Sequence, residues 1–209
     1  MRAILLFSGG LDSAVALYWA QSRGLTVLPA EFEYYQRPER ERRACGDLRL
    51  RTGITEQIVI PVPFLREAAD IPVRELNNPA LAHAPEGYIP LRNLIFYSLA
   101  AYHAEILGAR YIIGGHNRTD CESFPDAGQA FWEQLNQLFK LAIWSHSEIQ
   151  TEIVLPLLEM DKTEVIRLGA RLGGPFDWTW SCYFAAEHPC GGCESCLERE
   201  RAFAASGLS

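Results

Sequence analysis

The 209-residue sequence has no apolar run of membrane-spanning length. The short run at its start, residues 2–7, does not resemble a secretory leader, because functional-looking glycines follow at once. A cytoplasmic protein with no membrane partner is expected. Positive charge is scarce as well. Nineteen lysines and arginines stand against 26 acidic residues, a net charge of -7, which argues against a broad basic surface and against a nucleic-acid partner. The chain carries no internal repeat and no low-complexity tract. In a cytoplasmic protein its six cysteines are not expected to form a disulfide framework. What is present is 48% hydrophobic and 22% charged residues, enough for an ordinary core in one domain with a small appendage.

Short apolar runs alternate with helical patterns. Strands are expected over 2–7, 26–32, 56–62, 110–113 and 151–155, and helices over 12–22, 39–51, 92–107, 129–143 and 161–172. Arg23-Gly24 closes the first helix, Gly108 the third, and Gly173-Gly174-Pro175 the last. Residues 63–87 hold four prolines and read as a long, partly irregular excursion. Strands alternating with helices predict a parallel α/β sheet, Rossmann-like, with helices on both faces. In such a sheet ligands sit outside the carboxyl ends of the strands, where residues 8–13, 34–37 and 114–126 fall.

Two familiar phosphate motifs are missing. No lysine follows the glycine pair at positions 9 and 10, and no G-x-G-x-x-G occurs there. Ser8-Gly9-Gly10-Leu11-Asp12-Ser13 instead joins the first strand to the first helix. Two glycines let peptide N–H groups turn inward, the serines add hydroxyls, and the helix start adds partial positive charge. Such a turn is a nest for phosphate or pyrophosphate. The pattern resembles the pyrophosphate loop of the N-type ATP pyrophosphatases.

Near the end, Cys182, Cys190, Cys193 and Cys196 have the spacing of a closed thiolate site, with Gly191-Gly192 permitting a tight turn. Structural zinc is the expected occupant and an iron–sulfur cluster the competitor. His188 is an alternative to one cysteine. Cys45, on a charged helix, and Cys121, in a loop, have no partner at ligand spacing.

Loop and cysteine cluster together, with the segments between them, resemble the 7-cyano-7-deazaguanine synthase family of queuosine and archaeosine precursor biosynthesis. The resemblance includes Phe32-Glu33-Tyr34-Tyr35-Gln36-Arg37, Ile89-Pro90-Leu91-Arg92-Asn93, Gly115-His116-Asn117, Ser123-Phe124-Pro125-Asp126, Asp161-Lys162-Thr163-Glu164 and Ser181-Cys182-Tyr183. It implies a fold of the adenine-nucleotide hydrolase type, a homodimer, one zinc ion, and magnesium accompanying ATP. It also implies a deazaguanine carboxylate and ammonia as substrates. The expected organisation is an ATP-binding domain over 1–175 and a zinc-binding segment over 176–209.

Within this frame, Ser8, Gly9, Gly10, Leu11, Asp12 and Ser13 are the candidate nucleotide-binding residues, and Asp12 is a partner for magnesium or else a helix cap. Lys162 in a first helical turn opposes the macrodipole, a placement that suits a phosphate contact. Lys162, Asp12 and Arg92 are the catalytic candidates. Arg92, Asn93, Phe124 and Asp126 are the substrate-binding candidates: Arg92 for a carboxylate or phosphate, Phe124 for stacking, and Asp126 for the guanine-like N–H edge. His116 reads as a loop hydrogen-bonder rather than a general base. Trp178 and Trp180 read as links between the cysteine site and the pocket. The chain departs from the family pattern at Tyr35, at Pro38, across 120–127 and in the spacing from Cys182 to Cys190. These departures leave room for a paralogue that joins the same carboxylate to another amine, such as a protein N-terminus, or for a tRNA-modifying relative.

Overall fold

The structure is a computed structural model that describes residues 1–208 apart from Gln36, 73–76, Glu86, Pro175 and 185–186. Gln36 of the 32–37 stretch, part of the 63–87 excursion and the helix-ending Pro175 therefore lie outside the described residues. Five strands pair in parallel: β1 (Arg2–Leu6), β2 (Thr26–Tyr34), β3 (Ile58–Val62), β4 (Tyr111–Ile113) and β5 (Glu152–Val154). Their order is β3-β2-β1-β4-β5. Ile4 lies opposite Leu28 on one side and Ile112 on the other. The helices are α1 (Leu11–Ser22), α2 (Glu39–Arg51), α3 (Arg92–Leu107), α4 (Arg118–Ser123), α5 (Gln129–Ala142), α6 (His146–Ile149), α7 (Lys162–Arg171) and α8 (Glu194–Ser206).

The alternation within β1 divides the core. Ile4 joins Phe32, Ile112, Tyr97, Ala104, Trp132 and Phe139 on the face covered by α3 and α5. Ala3 and Leu5 join Leu11, Val15, Leu48, Val165, Ile166 and Ala202 on the face covered by α1, α2, α7 and α8. Both faces are covered, as a parallel sheet requires. The chain runs outward from β1 through β2 to β3 and then returns to β4 on the other side of β1. The order thus reverses between β1 and β4, and the crevice at their carboxyl ends is where such sheets bind ligands.

Three helices were not anticipated. α4 occupies part of the stretch read as a loop, so Cys121 is helical. Its six residues carry too few apolar positions to show a period, and a cap holds it: Asn117 Oδ1 accepts from Thr119 N at 2.8 Å, and Asp120 Oδ2 accepts from Asn117 N at 3.0 Å. α6 is a single turn. α8 was hidden because its start carries two of the cysteines. α7 opens on a capping box: Asp161 Oδ1 accepts from Glu164 N at 2.8 Å, and Glu164 Oε2 accepts from Asp161 N at 2.9 Å.

Candidate active site

β1 delivers the chain to residues 8–10, and α1 leaves at Leu11. Gly9 has φ +79°, and a Cβ there would stand 2.8 Å from Cys45 N and Glu41 O of α2. Glycine is therefore required both for conformation and for close approach. Gly10 N donates to Ser8 Oγ at 3.2 Å, and Ser13 Oγ donates to Gly10 O at 3.0 Å and lies 3.3 Å from Ser8 Oγ. The two hydroxyls and the N–H thus share one small concavity at a helix N-terminus. Leu11 contributes backbone only, since its side chain is buried in the core. From the far side of the crevice Gly115 presses on α1: a Cβ there would lie 2.8 Å from Asp12 C and Ser13 N.

Asp12 is not a cap; α1 has no side-chain cap bond. Its Oδ2 accepts from Lys162 Nζ at 2.6 Å, and Oδ1 accepts from Asn117 Nδ2 at 3.4 Å. Glu198 Oε2 of α8 lies 3.6 Å from the same ammonium. Burial alone would lower the lysine pKa, but Asp12 and Glu198 hold it above the usual range, so Lys162 is a permanent cation beside the loop. Asp120 stands nearby, with its pKa raised by burial and then by the Asp12 charge.

The substrate candidates gather at the start of α3. Leu91 precedes it at φ +55°, an uncommon conformation for a side chain of that size. Asn93 N donates to Asp126 Oδ2 and Asn93 Nδ2 donates to Asp126 O, both at 2.9 Å. Asp126 lies in a 3-10 turn over Pro125–Ala127 and caps α3 from outside the helix. The Arg92 guanidinium lies over the Phe124 ring at 5.7 Å, and Phe124 runs parallel to Tyr88 with centroids 6.4 Å apart. His116 lies tilted against Trp132 with ring centroids 4.9 Å apart, and its Nδ1 is 3.9 Å from Asp120 Oδ2, beyond hydrogen-bond distance. Burial, with Arg92 adding to it, pushes its pKa down to about 4.

A group around Arg37 was missed. Its buried guanidinium meets Glu31 (3.4 Å), Glu33 (2.8 Å) and Glu41 (2.9 Å) and donates to Cys45 Sγ at 3.2 Å. Cys45 Sγ in turn reaches Phe7 O at 3.6 Å. This network ties α2 to the strand that feeds the loop. The charge pattern of 31–42 was the available signal, but ion-pair spacing on a surface helix looks much the same in sequence. Cys121 donates to Asn117 O at 3.3 Å, and burial raises its pKa, so it is not activated.

The ligand atoms of Cys182, Cys190, Cys193 and Cys196 all lie within 4.8 Å of one another. A tetrahedral zinc site with bonds of about 2.3 Å asks for sulfurs about 3.8 Å apart, so the group fits a metal with little movement. Phe184 N and Cys190 N donate to Cys182 Sγ at 3.4 Å each. Gly192 N and Cys193 N donate to Cys190 Sγ at 3.4 and 3.3 Å, and these two peptide donors push the Cys190 thiol down to about 7. His188 is not part of the group. Trp180 joins three of the cysteines in a small cluster with Ala44 and donates its own peptide N–H to Gly9 O at 3.0 Å. The expected link between cysteine site and crevice therefore runs through Trp180. Trp178 instead packs against Arg51.

Sheet order, loop and crevice define an α/β protein of the ATP pyrophosphatase type with an appended four-cysteine centre. A solved 4-thiouridine synthetase–RNA complex with bound ATP shares the fold, with a TM-score of 0.50 at 20% identity over 97% of this chain and 53% of that one. The family model described as queuosine biosynthesis protein QueC matches residues 2–207, and the chain belongs to that family. It is 35% identical to the 7-cyano-7-deazaguanine synthase of Nostoc sp. PCC 7120, over all of this chain and 95% of that protein. It is 34% identical to the 7-cyano-7-deazaguanine synthase of Chlorobaculum tepidum, over all of this chain and 94% of that one. Among the described residues no helix is long and apolar enough to cross a membrane.

Proposed function

We propose that the protein is an ATP-dependent carbon–nitrogen ligase that converts 7-carboxy-7-deazaguanine and ammonia to 7-cyano-7-deazaguanine, with release of AMP and pyrophosphate. The observation that supports this most is the Lys162–Asp12 contact at the mouth of the 8–13 loop. In this reading the loop N–H groups and the Ser8 and Ser13 hydroxyls hold the pyrophosphate portion of ATP. A carboxylate oxygen of the substrate attacks the α-phosphorus, and the bond to pyrophosphate breaks. Lys162 faces the negative charge that develops on the leaving group. Ammonia then attacks the acyl carbon, AMP leaves, and a proton is lost, giving the amide. The amide oxygen attacks a second ATP in the same way. Departure of AMP with that oxygen, as nitrogen loses its protons, leaves the nitrile.

Arg92 pairs with the substrate carboxylate, Phe124 offers a ring face, and Asp126 keeps Oδ1 for the base N–H edge while Oδ2 caps α3. Asp12 is the residue that would hold magnesium, which supplies positive charge to the phosphates. The four cysteines would hold zinc in a closed structural site. The reading includes a nucleotide domain over 1–175 with the 176–209 segment packed on it, a homodimer, and a cytoplasmic location.

The test mixes purified protein with ATP, magnesium, 7-carboxy-7-deazaguanine and ammonium, then follows small molecules by mass spectrometry. Nitrile together with AMP is the expected result. Amide without nitrile would replace the ammonia-only scheme with conjugation to another amine, and an absence of AMP from folded, metal-loaded protein would overturn the ligase reading.

A further inference from the structure

Arg199 lies three residues beyond Cys196 on α8. Its guanidinium spans three acceptors on another segment: Nη1 donates to Thr179 Oγ1 at 2.7 Å and to Ser181 Oγ at 3.1 Å, and Nη2 donates to Phe176 O at 2.8 Å. All three acceptors are neutral. Among the described residues no carboxylate stands at ion-pair distance from it, and burial lowers its pKa. The Asp177 and Asp12 charges favour this cation only from beyond contact distance, and holding a partly buried guanidinium on neutral acceptors is costly, so its position calls for a reason.

Between two of its acceptors lies Trp180, whose N–H donates to Gly9 O at 3.0 Å. The Gly9 carbonyl and the Gly10 N–H belong to one planar peptide unit and point in opposite directions. Pinning the carbonyl outward turns the N–H inward, where it meets Ser8 Oγ at 3.2 Å. Gly9, at φ +79°, has the freedom to let this peptide flip if nothing holds it.

We propose that Arg199 is a positioning residue for the nucleotide site: its planar fork holds the Trp180 peptide, which fixes the Gly9–Gly10 peptide and aims the Gly10 N–H at the incoming phosphate. The inference rests on the reading of the 8–13 loop as the ATP site. An arginine suits the task because one rigid group reaches three acceptors at once; a lysine keeps the charge but not the reach.

The test uses full-length, metal-loaded protein and an ATP analogue with an α,β-methylene bridge, its Kd measured by calorimetry. Arg199→Met and Arg199→Lys are both expected to weaken the analogue about tenfold, and Ser181→Ala about threefold. The KM for the deazaguanine substrate and the zinc content are expected to stay at wild-type values. Wild-type affinity in Arg199→Lys would overturn the proposal, because charge rather than the fork would then be the cause. Losses confined to zinc content or melting temperature would overturn it too, by reducing Arg199 to a strut of the cysteine site. If the arginine variants do not fold, unchanged affinity in Ser181→Ala refutes it. Wild-type protein that fails to bind the analogue removes the nucleotide-site reading itself, and this proposal with it.

Discussion

Lys162 Nζ lies 2.6 Å from Asp12 Oδ2, although 150 residues of chain separate them. Of the chain's two lysines, this is the one placed in the crevice. Its contacts with Asp12 and Glu198 keep it charged at any working pH. Replacing it with methionine removes the one ammonium that faces the loop and leaves two carboxylates without their cation. Lys162→Met is expected to lower AMP formation by about a hundredfold or more, the usual scale for losing a charge-stabilising donor at a reacting centre. A quenched-flow measurement of AMP at saturating ATP decides the point, and a wild-type rate would remove Lys162 from the chemistry.

Glycine positions allow a paired comparison. A Cβ on Gly115 would meet the backbone of Asp12 and Ser13 at 2.8 Å, and backbone at the start of α1 has no room to yield. Gly115→Ala is expected to cost about 1 to 3 kcal/mol and to abolish nucleotide binding. Gly46, inside α2, has open space around it and an ordinary helical conformation. Gly46→Ala is expected to stabilise by about 0.5 to 1 kcal/mol and leave nucleotide binding alone. Urea unfolding of the two variants side by side tests both signs.

The sequence was legible where a residue type reports local chemistry. Gly9-Gly10 and the cysteine spacing need no distant partner to be read, and both stand in the structure as written. Strand and helix periods placed the sheet and five of its helices for the same reason. What escaped depends on contacts far apart in the chain. Asp126 reads as a substrate-edge acceptor, and that it also caps α3 from 33 positions away shows only in the fold. Arg37 reads only as part of a segment at the carboxyl end of the second strand, and its burial among three glutamates shows only in the fold. His116 reads as a polar loop residue until Trp132 closes over it. Short α4 depends on a cap rather than on an apolar stripe, and α8 is disguised by its cysteines.

The proposed metal at the four cysteines gives a structural prediction. Cys193 is the N-cap of α8 and Cys196 lies in its first turn, while Cys182 anchors the segment that carries Trp180. If the four cysteines hold zinc as proposed, its loss frees both, because thiolates no longer sharing a metal repel one another. Chelation, or Cys193→Ser, is expected to lower the melting temperature by about 10 °C and to expose 176–206 to protease before the rest of the chain. Metal analysis together with mapping of the first cleavage site checks this. A first cut within the sheet domain instead would show that the cysteine centre does not hold the C-terminal segment.

His116 gives a pH dependence with a definite sign. Burial, aided by Arg92, holds its pKa at about 4 in the folded protein against an ordinary value near 6.5. Between those values the unfolded chain binds a proton that the folded chain refuses, so stability rises with pH there. The contribution is complete above about pH 6.5 and is lost progressively as the pH falls toward 4, amounting to about 2 to 3 kcal/mol. Asp120 acts in the opposite sense, because burial and Asp12 raise its pKa. It is present in both proteins when wild type is compared with His116→Phe, which keeps a ring against Trp132 and removes the titration. The stability difference between the two, followed by urea unfolding from pH 7.5 to 4.5, is expected to move toward the variant as the pH falls. A difference that stays constant would mean that the imidazole titrates alike in both states. The same neutrality bears on mechanism: at pH 7 this ring is not an imidazolium that could act as a general acid, so an alkaline limb near neutrality in the pH–rate profile must come from another group and should persist in His116→Phe.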